Sequence, residues 1–450
     1  MSEIIRIKRG LDIKLQGKAE KNVVRINPSG LYGIKPTDFI GLTPKLCVKQ
    51  GDPVKVGTPL FFDKNRPEVR FVSPVSGMVA EVNRGEKRKI LAVIVESDGK
   101  DDYVAFTSAD PSSLSREKII ETLLESGVWP FIRQRPYSII ADPKQTPKSI
   151  FISGFDSAPL APDLDFIMKD SEKEFQTGIN ALKKLTDGKI HLSLSSASTS
   201  GSTFTKASNV EFHYFNGPHP AGNVGIQIHH IDPINKGDLV WVVSPQNVAA
   251  IGKLFLEGKF DNSITIAITG SEVVKPAYYK VVRGASVMSL LKDNVSGNEL
   301  RLISGNVLSG TQVLKDGFLG FYDNQISVIP EGNYYDFLGW ALPGFGKFSI
   351  SRSFFSWLTP SKQYALDTNL KGGERAFVMT GEYEKVLPMD IYPVHLIKAI
   401  LAENIDKMEQ LGIYEVVEED LALCEFVCTS KTEVQGILRK GLDLMKKEME

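Results

Sequence analysis

Along the first hundred residues apolar and polar positions alternate in short runs cut by glycine, aspartate and proline. From Cys47 the chain reads CVKQGDPVKVGTPLFF, punctuated at Gly51, Asp52, Pro53 and Gly57, and then RFVSPVSGMVAEVNRGEKRKILAVIVES. Two Val-rich halves, each with a glycine turn, predict a small all-β sandwich. The period then changes. Leu114, Ile119, Ile120, Leu123 and Leu124 fall at helical spacing up to Gly127; PKSIFISG reads as a buried strand, a second helix is expected over 171–185, and KIHLSLS is a further strand. After a Ser/Thr-rich loop come EFHYF, the stretch FNGPHPAGNVG, a strand-like VGIQIHHI and DLVWVVS. Strands alternating with helices predict a mixed or parallel α/β sheet. From Asp261, DNSITIAITGSEVVKPAYYKVVRGASVMSLLKDN and RLISGNVLSGTQV carry the strands, turn and short helix of a β-grasp-like domain. Past Pro330 helix is expected, closing on TEVQGILRKGLDLMKKEME, where Val434, Ile437, Leu438, Leu442 and Met445 form one apolar stripe.

A chain of 450 residues is too long for one ordinary core. The pattern divides it into a β-rich domain over 1–105, an α/β domain over 106–257, a β-grasp-like domain over 258–332 and a helical domain over 333–450. With 53 basic and 54 acidic residues the net charge is −1, which gives no overall reason to expect nucleic acid or an anionic membrane surface as partner. Three cysteines, Cys47, Cys424 and Cys428, suit a reducing compartment better than a disulfide framework. The N-terminal MSEIIRIKRGLDIKLQGK lacks the apolar core of a signal peptide, and the uncharged run from Leu239 to Gly252 is shorter than the roughly 18 residues of a membrane span. Membrane contact is therefore expected only through a partner.

The candidate chemistry centres on FNGPHPAGNVGIQIHHIDP, Phe215 to Pro233, which holds three of six histidines, with His213 just upstream. His213 and His219 have H-x5-H spacing, at the edge of zinc-site usage, but no cysteine is near and a Gly-Pro turn intervenes. In an extended VGIQIHHI, His229 and His230 point to opposite faces and cannot serve one metal; His230, on the face of Val224, Ile226 and Ile228, reads as a core histidine. No metal is expected. Pro218 and Pro220 stiffen the loop around His219, which is either a solvent-facing connection or a ligand contact. There is no Walker A pattern, and PGFGKFS lacks the third glycine of a dinucleotide fingerprint. Cys424 and Cys428 in LCEFVC cannot build a four-thiolate cluster in a chain with three thiols.

The first domain resembles the biotinyl/lipoyl hammerhead fold through VKQGDPVKVGTPL and SPVSGMVAEV, although its hairpin FFDKNRPEVR breaks the carrier-lysine pattern around Lys64. The whole chain resembles the A subunit of the sodium-translocating NADH:quinone oxidoreductase of bacteria. The resemblance rests on IKRGLD, SPVSGMVAEVNRGEKR, LLESGVWPFIRQRPYS, FNGPHPAGNVG, LFLEGKF, LISGNVLSGT, LGWALPGFGKFSISRSF, GEYEKVLPMDI and EEDLALCEFVC. It implies a peripheral subunit on the cytoplasmic face of the bacterial inner membrane, assembled with membrane-embedded subunits and associated with quinone, ubiquinone or menaquinone, as substrate.

The family is distantly similar to the flavin-binding subunit of respiratory complex I and the C subunit of the Rnf complex. This implies a Rossmann-like second domain, a β-grasp-like (SLBB) third domain and a C-terminal helical domain. At the relatives' glycine-rich flavin loop this chain has SGVWPFIRQRPY, at their acidic segment SGFDSAPLA, and of their four cluster cysteines it keeps the pair in LCEFVC. No flavin or iron–sulfur cluster is expected. A quinone needs an apolar or aromatic slot and donors for its carbonyl oxygens, and Trp129, Phe131, Arg133 and Arg135 with His219 have that chemistry. The same residue types are enriched at subunit contacts, so a purely structural docking subunit is the alternative.

Overall fold

The computed structural model describes residues 4–26, 30–198, 200–339 and 342–449. The first domain is the expected sandwich. One sheet pairs Leu31–Ile34, Ile90–Ser97, Gly77–Arg84 and Pro53–Val54; the other pairs Pro44–Leu46, Pro59–Asp63 and Arg66–Val72. Alternate residues fill the space between them, with Leu60, Val69, Val79 and Val93 fully buried. The hairpin carrying Lys64 is tied down: buried Asp63 accepts from Arg66 at 3.1 Å, and Arg66 also donates to the carbonyl of Ile140 in the next domain at 3.0 Å.

The second domain is a seven-stranded sheet with a parallel centre. Ser149–Ser153 lies between Lys189–Ser195 and Val240–Val242, Glu211–Asn216 follows Lys189–Ser195, and the N-terminal strand Ile4–Arg6 closes that edge. Arg133–Arg135 and Ile139–Ile140 extend the other edge antiparallel. From Ser149–Ser153 the chain winds first to one side and then, at Val240, to the other. That reversal is the switch point where open α/β sheets form a crevice at the carboxyl ends of their strands.

Two helices cover one face. Glu172–Lys183 buries Phe175, Gly178, Ile179 and Leu182; Pro245–Glu257 starts on Pro245 and stops on Gly258 in the left-handed conformation (φ 64°). The other face receives the helix Val224–Ile231, where a strand was expected. Every second residue there is apolar, but the segment follows the turn at Pro220–Asn223 and lies between the sheet and the C-terminal helices. Val224, Gly225, Ile226, Gln227 and Ile228 are all buried, the mark of a helix enclosed on all sides. His230 consequently lies exposed at the end of this helix, not in the core, and only bonds back to the Ile226 carbonyl at 2.8 Å.

The third domain is a six-stranded mixed sheet in the order Thr311–Gln312, Leu300–Ser304, Gln325–Pro330, Ser263–Thr269, Ala277–Val282 and, from the first domain, Glu20–Arg25. The described residues between 331 and 382 are irregular apart from one turn of 3-10 helix at Phe355–Leu358, so the helical part begins at Tyr383 rather than just past Pro330. It contains Pro393–Leu401, Ile405–Gln410, Ala422–Val427 and the long Val434–Met449, whose stripe of Val434, Leu438, Leu442 and Met445 is buried against the α/β domain's second face. Among the described residues no helix is long and apolar enough to cross a membrane.

Candidate functional site

At the switch point the carboxyl ends of Ser149–Ser153 and Val240–Val242 open into a cleft of about 630 Å3, walled on its far side by the third and C-terminal domains. Ser153, Phe155, Asp156, His219, Gly222 and Gln246 come from the α/β domain, Arg133 from its added edge, Asn306, Leu308, Tyr322 and Asp323 from the third domain, and Glu418, Glu419, Gln435 and Arg439 from the helices.

The histidine loop is held from both sides. The carbonyl of His219 accepts from Leu11 N–H at 2.8 Å, and its own N–H donates to Asp12 Oδ1 at 2.9 Å, so the IKRGLD segment braces it. Gly10 sits against it at φ 145°, where a Cβ would stand 2.2 Å from the His219 carbonyl oxygen; glycine is required there. On the inner side, Gln227 Nε2 donates to Ser153 Oγ at 2.8 Å, Ser153 Oγ donates to the Gly222 carbonyl at 3.1 Å, and Gly222 N–H donates to Ser157 Oγ at 2.8 Å. Ser157 Oγ lies 3.0 Å from His219 Nδ1. That oxygen accepts from Gly222 and still has a proton and a second lone pair, so it fixes the direction of the His219 ring in either tautomer. His219 is 3% exposed, and burial pushes it down to about 4 against a smaller opposing pull from Glu419. It is a fixed, neutral hydrogen-bonding group and not a solvent-facing ring.

Arg133 stands across the cleft, half-buried, with its guanidinium 5.1 Å from the ring centre of Tyr322. Tyr322 is anchored by its hydroxyl, which donates to the Pro130 carbonyl at 2.7 Å. Among the described residues no carboxylate comes within ion-pair distance of Arg133, although its charge acts on Asp323, another residue of the cleft wall. Asp156 sits between the walls, its Oδ1 accepting from Ala158 N–H at 2.8 Å. Burial, with Glu419 nearby, lifts its carboxyl to about 6, where it exchanges a proton near neutrality. Burial also raises Asp323, whose carboxylate accepts from Ser304 Oγ at 2.6 Å.

The structure thus brings Arg133 and His219 to one cleft and separates the other expected residues from it. Trp129 is fully buried, its Nε1 donating to the Ala141 carbonyl at 2.8 Å and its ring edge-on to Trp241 at 5.5 Å. Phe131 is packed against Phe260, Phe321 and the Arg283 guanidinium. Both are core residues and neither lines the cleft: the VWPF turn folds inward because Trp129, Pro130 and Phe131 bury apolar area that an exposed loop would leave wet. Arg135 is spent behind the cleft wall, with Nη1 donating to Asp420 at 2.8 Å and Nη2 to Glu419 at 2.5 Å. Asp156, Tyr322, Asp323 and Glu419 escaped the sequence reading. The one signal was the acidic residue in SGFDSAPLA, directly after a strand at what proves to be the switch point.

A second cavity of about 530 Å3 is lined by Asp63, Arg66 and Gln134 among others. Its polar groups are satisfied: Arg66 is paired with Asp63, and Gln134 with Gln145 and the Asp142 N–H. The cleft, where among the described residues Arg133 has no ion-pair partner, is the better candidate.

A β-sandwich, a parallel α/β sheet with its cleft at the switch point, a β-grasp-like sheet and a helical cap define a multidomain α/β protein with a cleft between its domains. Three family descriptions match in order: the NqrA N-terminal barrel-sandwich hybrid domain over 5–98, the NqrA second alpha/beta domain over 114–260 and the NQRA C-terminal domain over 265–315. The A subunit of the Na(+)-translocating NADH-quinone reductase of Rhodopirellula baltica is 38% identical over 99% of this chain and 98% of its own. The proteins of the same name from Yersinia pestis and Vibrio anguillarum are each 38% identical over 99% of this chain and 100% of their own. The chain belongs to the family formed by the A subunit of the Na(+)-translocating NADH-quinone reductase. A chain of an NAD+-reducing [NiFe]-hydrogenase superposes on 75% of this chain and 62% of its own at a TM-score of 0.38 and 10% identity, too weak a likeness to carry an argument.

Proposed function

We propose that this chain binds the quinone of an NADH–quinone reductase in the cleft between Arg133 and His219, as a peripheral subunit on the cytoplasmic side of the membrane, docked on membrane-embedded partners. The observation that carries the reading is the pairing of a half-buried Arg133 with a neutral, rigidly braced His219 on one cleft. Arg133 N–H, and His219 Nε2–H in the tautomer whose Nδ1 accepts from Ser157, are donors suited to carbonyl oxygens, Phe155, Leu308 and Val242 supply apolar wall, and Asp156 is poised to exchange a proton as a quinone becomes a quinol. The electrons come from partner subunits. The chain holds no flavin, since its loop is filled by Trp129 and Phe131, and no iron–sulfur cluster, since it has three cysteines.

The test is equilibrium binding of a short-tailed quinone to the full chain, read by calorimetry. Arg133→Ala removes a charge-assisted hydrogen bond and is expected to weaken binding by about 10- to 150-fold; His219→Ala removes a neutral one and weakens it by up to about tenfold. If both variants fold and bind quinone as the native chain does, the cleft is not the site. The competing reading, a docking subunit without a ligand, draws on the exposed aromatic residues Tyr335, Phe337, Phe345 and Trp357, and it wins if those same substitutions loosen assembly instead.

A further inference from the structure

On the side of the parallel sheet facing the helix Val224–Ile231, toward the amino ends of the strands and so away from the cleft, three potential ligands converge. The register places His191 opposite Glu211 and Ser193 opposite His213, so His191, Glu211 and His213 project from one face of adjacent strands. His191 Nδ1 and His213 Nε2 are 2.9 Å apart, Glu211 Oε2 is 3.9 Å from His191 Nδ1, and one ligand atom from each of the three lies within 4.8 Å of the others. Two nitrogens each about 2.0–2.1 Å from one ion stand about 2.9 to 3.4 Å apart at angles between square and tetrahedral, so the separation of the imidazole nitrogens already matches a shared metal, which the rings reach by turning from their mutual hydrogen bond. His191 is 5% exposed and its ring stacks on Phe151 at 4.7 Å, which fixes its direction. His213 and Glu211 are open to solvent on their outer side.

We propose that His191, His213 and Glu211 form a binding site for one borderline divalent transition ion of the zinc class, with water completing its shell. Two imidazoles and one carboxylate suit such an ion and not calcium or magnesium, which take oxygen ligands. Neither ring has to lose a net proton: the tautomers with the protons on His191 Nε2 and His213 Nδ1 leave both inner nitrogens bare. Lys189 holds one Glu211 oxygen at 2.7 Å, and the other remains for the ion. This departs from the sequence expectation of a metal-free chain, which weighed His213 only against His219. The spacing from His191 to His213 is too long to read as a motif and becomes a site only through strand register.

The experiment uses the full chain, stripped of metal with a chelator, titrated with Zn2+ by calorimetry and with Co2+ by visible absorption. One equivalent is expected to bind, with a Co2+ spectrum of nitrogen and oxygen ligation and a Zn2+-dependent rise in melting temperature. His213→Gln is expected to lower Zn2+ affinity at least about tenfold and to abolish the Zn2+-dependent rise measured against the variant's own metal-free melting temperature. Glu211→Gln is expected to lower it by a smaller factor. Absence of a one-equivalent Zn2+ isotherm, or an isotherm that both substitutions leave unchanged, overturns the proposal and leaves a hydrogen-bonded histidine pair.

Discussion

At the scale of single residues the cleft is governed by how burial treats charge. Asp156 is held neutral up to about 6 in the folded chain, against 3.8 for an ordinary aspartate. A folded-state value raised above the unfolded one means the native state binds the extra proton across that interval, so this residue's contribution to stability falls as pH rises from about 4 through about 6. Asp156→Asn mimics the neutral form. It is expected to match the native protein near pH 4 and to be the more stable of the two above pH 6, as urea unfolding across that range would show. Arg135 presents the opposite case. Removing it leaves Asp420, which has no exposed side-chain area, buried without a cation. Arg135→Ala is expected to cost about 3 to 5 kcal/mol, while replacing Arg135 and Asp420 together with apolar residues of similar volume recovers most of that loss.

At the scale of elements, the two helices on the sheet's first face cross through glycines. A Cβ on Gly252 would stand 1.8 Å from the Glu174 carbonyl oxygen, and one on Gly178 would stand 2.0 Å from that of Val248. Gly→Ala inside an isolated helix stabilises it by up to about 1 kcal/mol. Here the sign reverses, because the helices must separate to admit a methyl group. Gly252→Ala is expected to destabilise the chain by about 1 to 3 kcal/mol, measurable by urea or thermal unfolding; a neutral or stabilised variant would show that the helices are not in backbone contact.

At the scale of the molecule, one apolar core runs from the sandwich through the first face of the α/β sheet into the third domain, and a second joins the sheet's other face to the N-terminal segment and the C-terminal helices. Arg283, fully buried at a junction, donates to the Phe321 carbonyl at 2.6 Å and to Asn247 Oδ1 at 2.5 Å, linking the third domain to the α/β domain. Among the described residues the most exposed aromatic side chains, Tyr335 at 105% and Phe337 at 88%, lie in the irregular stretch after Pro330. Brief chymotrypsin treatment is expected to cut first in that stretch. The helical fragment beginning near Tyr383 is expected to stay with the remainder on gel filtration, because its helices are packed on the sheet. A fragment that leaves at once would show that the second core is too weak to bind it.

The pattern of the chain determined the sandwich and the helices Arg116–Glu125, Glu172–Lys183 and Val434–Met449, because each buries one face and writes it into its spacing, and the four strands Ser149–Ser153, Lys189–Ser195, Glu211–Asn216 and Val240–Val242 of the α/β sheet, as short apolar runs between turns. It misread Val224–Ile231, where burial on all sides erases the difference between a period of two and one of 3.6. Residue type, loop stiffness and the family resemblance singled out Arg133 and His219 together with Trp129, Phe131 and Arg135. Which of these five faces a cleft, which a core and which a carboxylate pair was decided by packing alone, since an aromatic or cationic side chain has the same local signature in all three settings. Asp156 and His219 on one cleft, and His191 beside His213 on neighbouring strands, are residues far apart in the chain that only topology and register bring within reach.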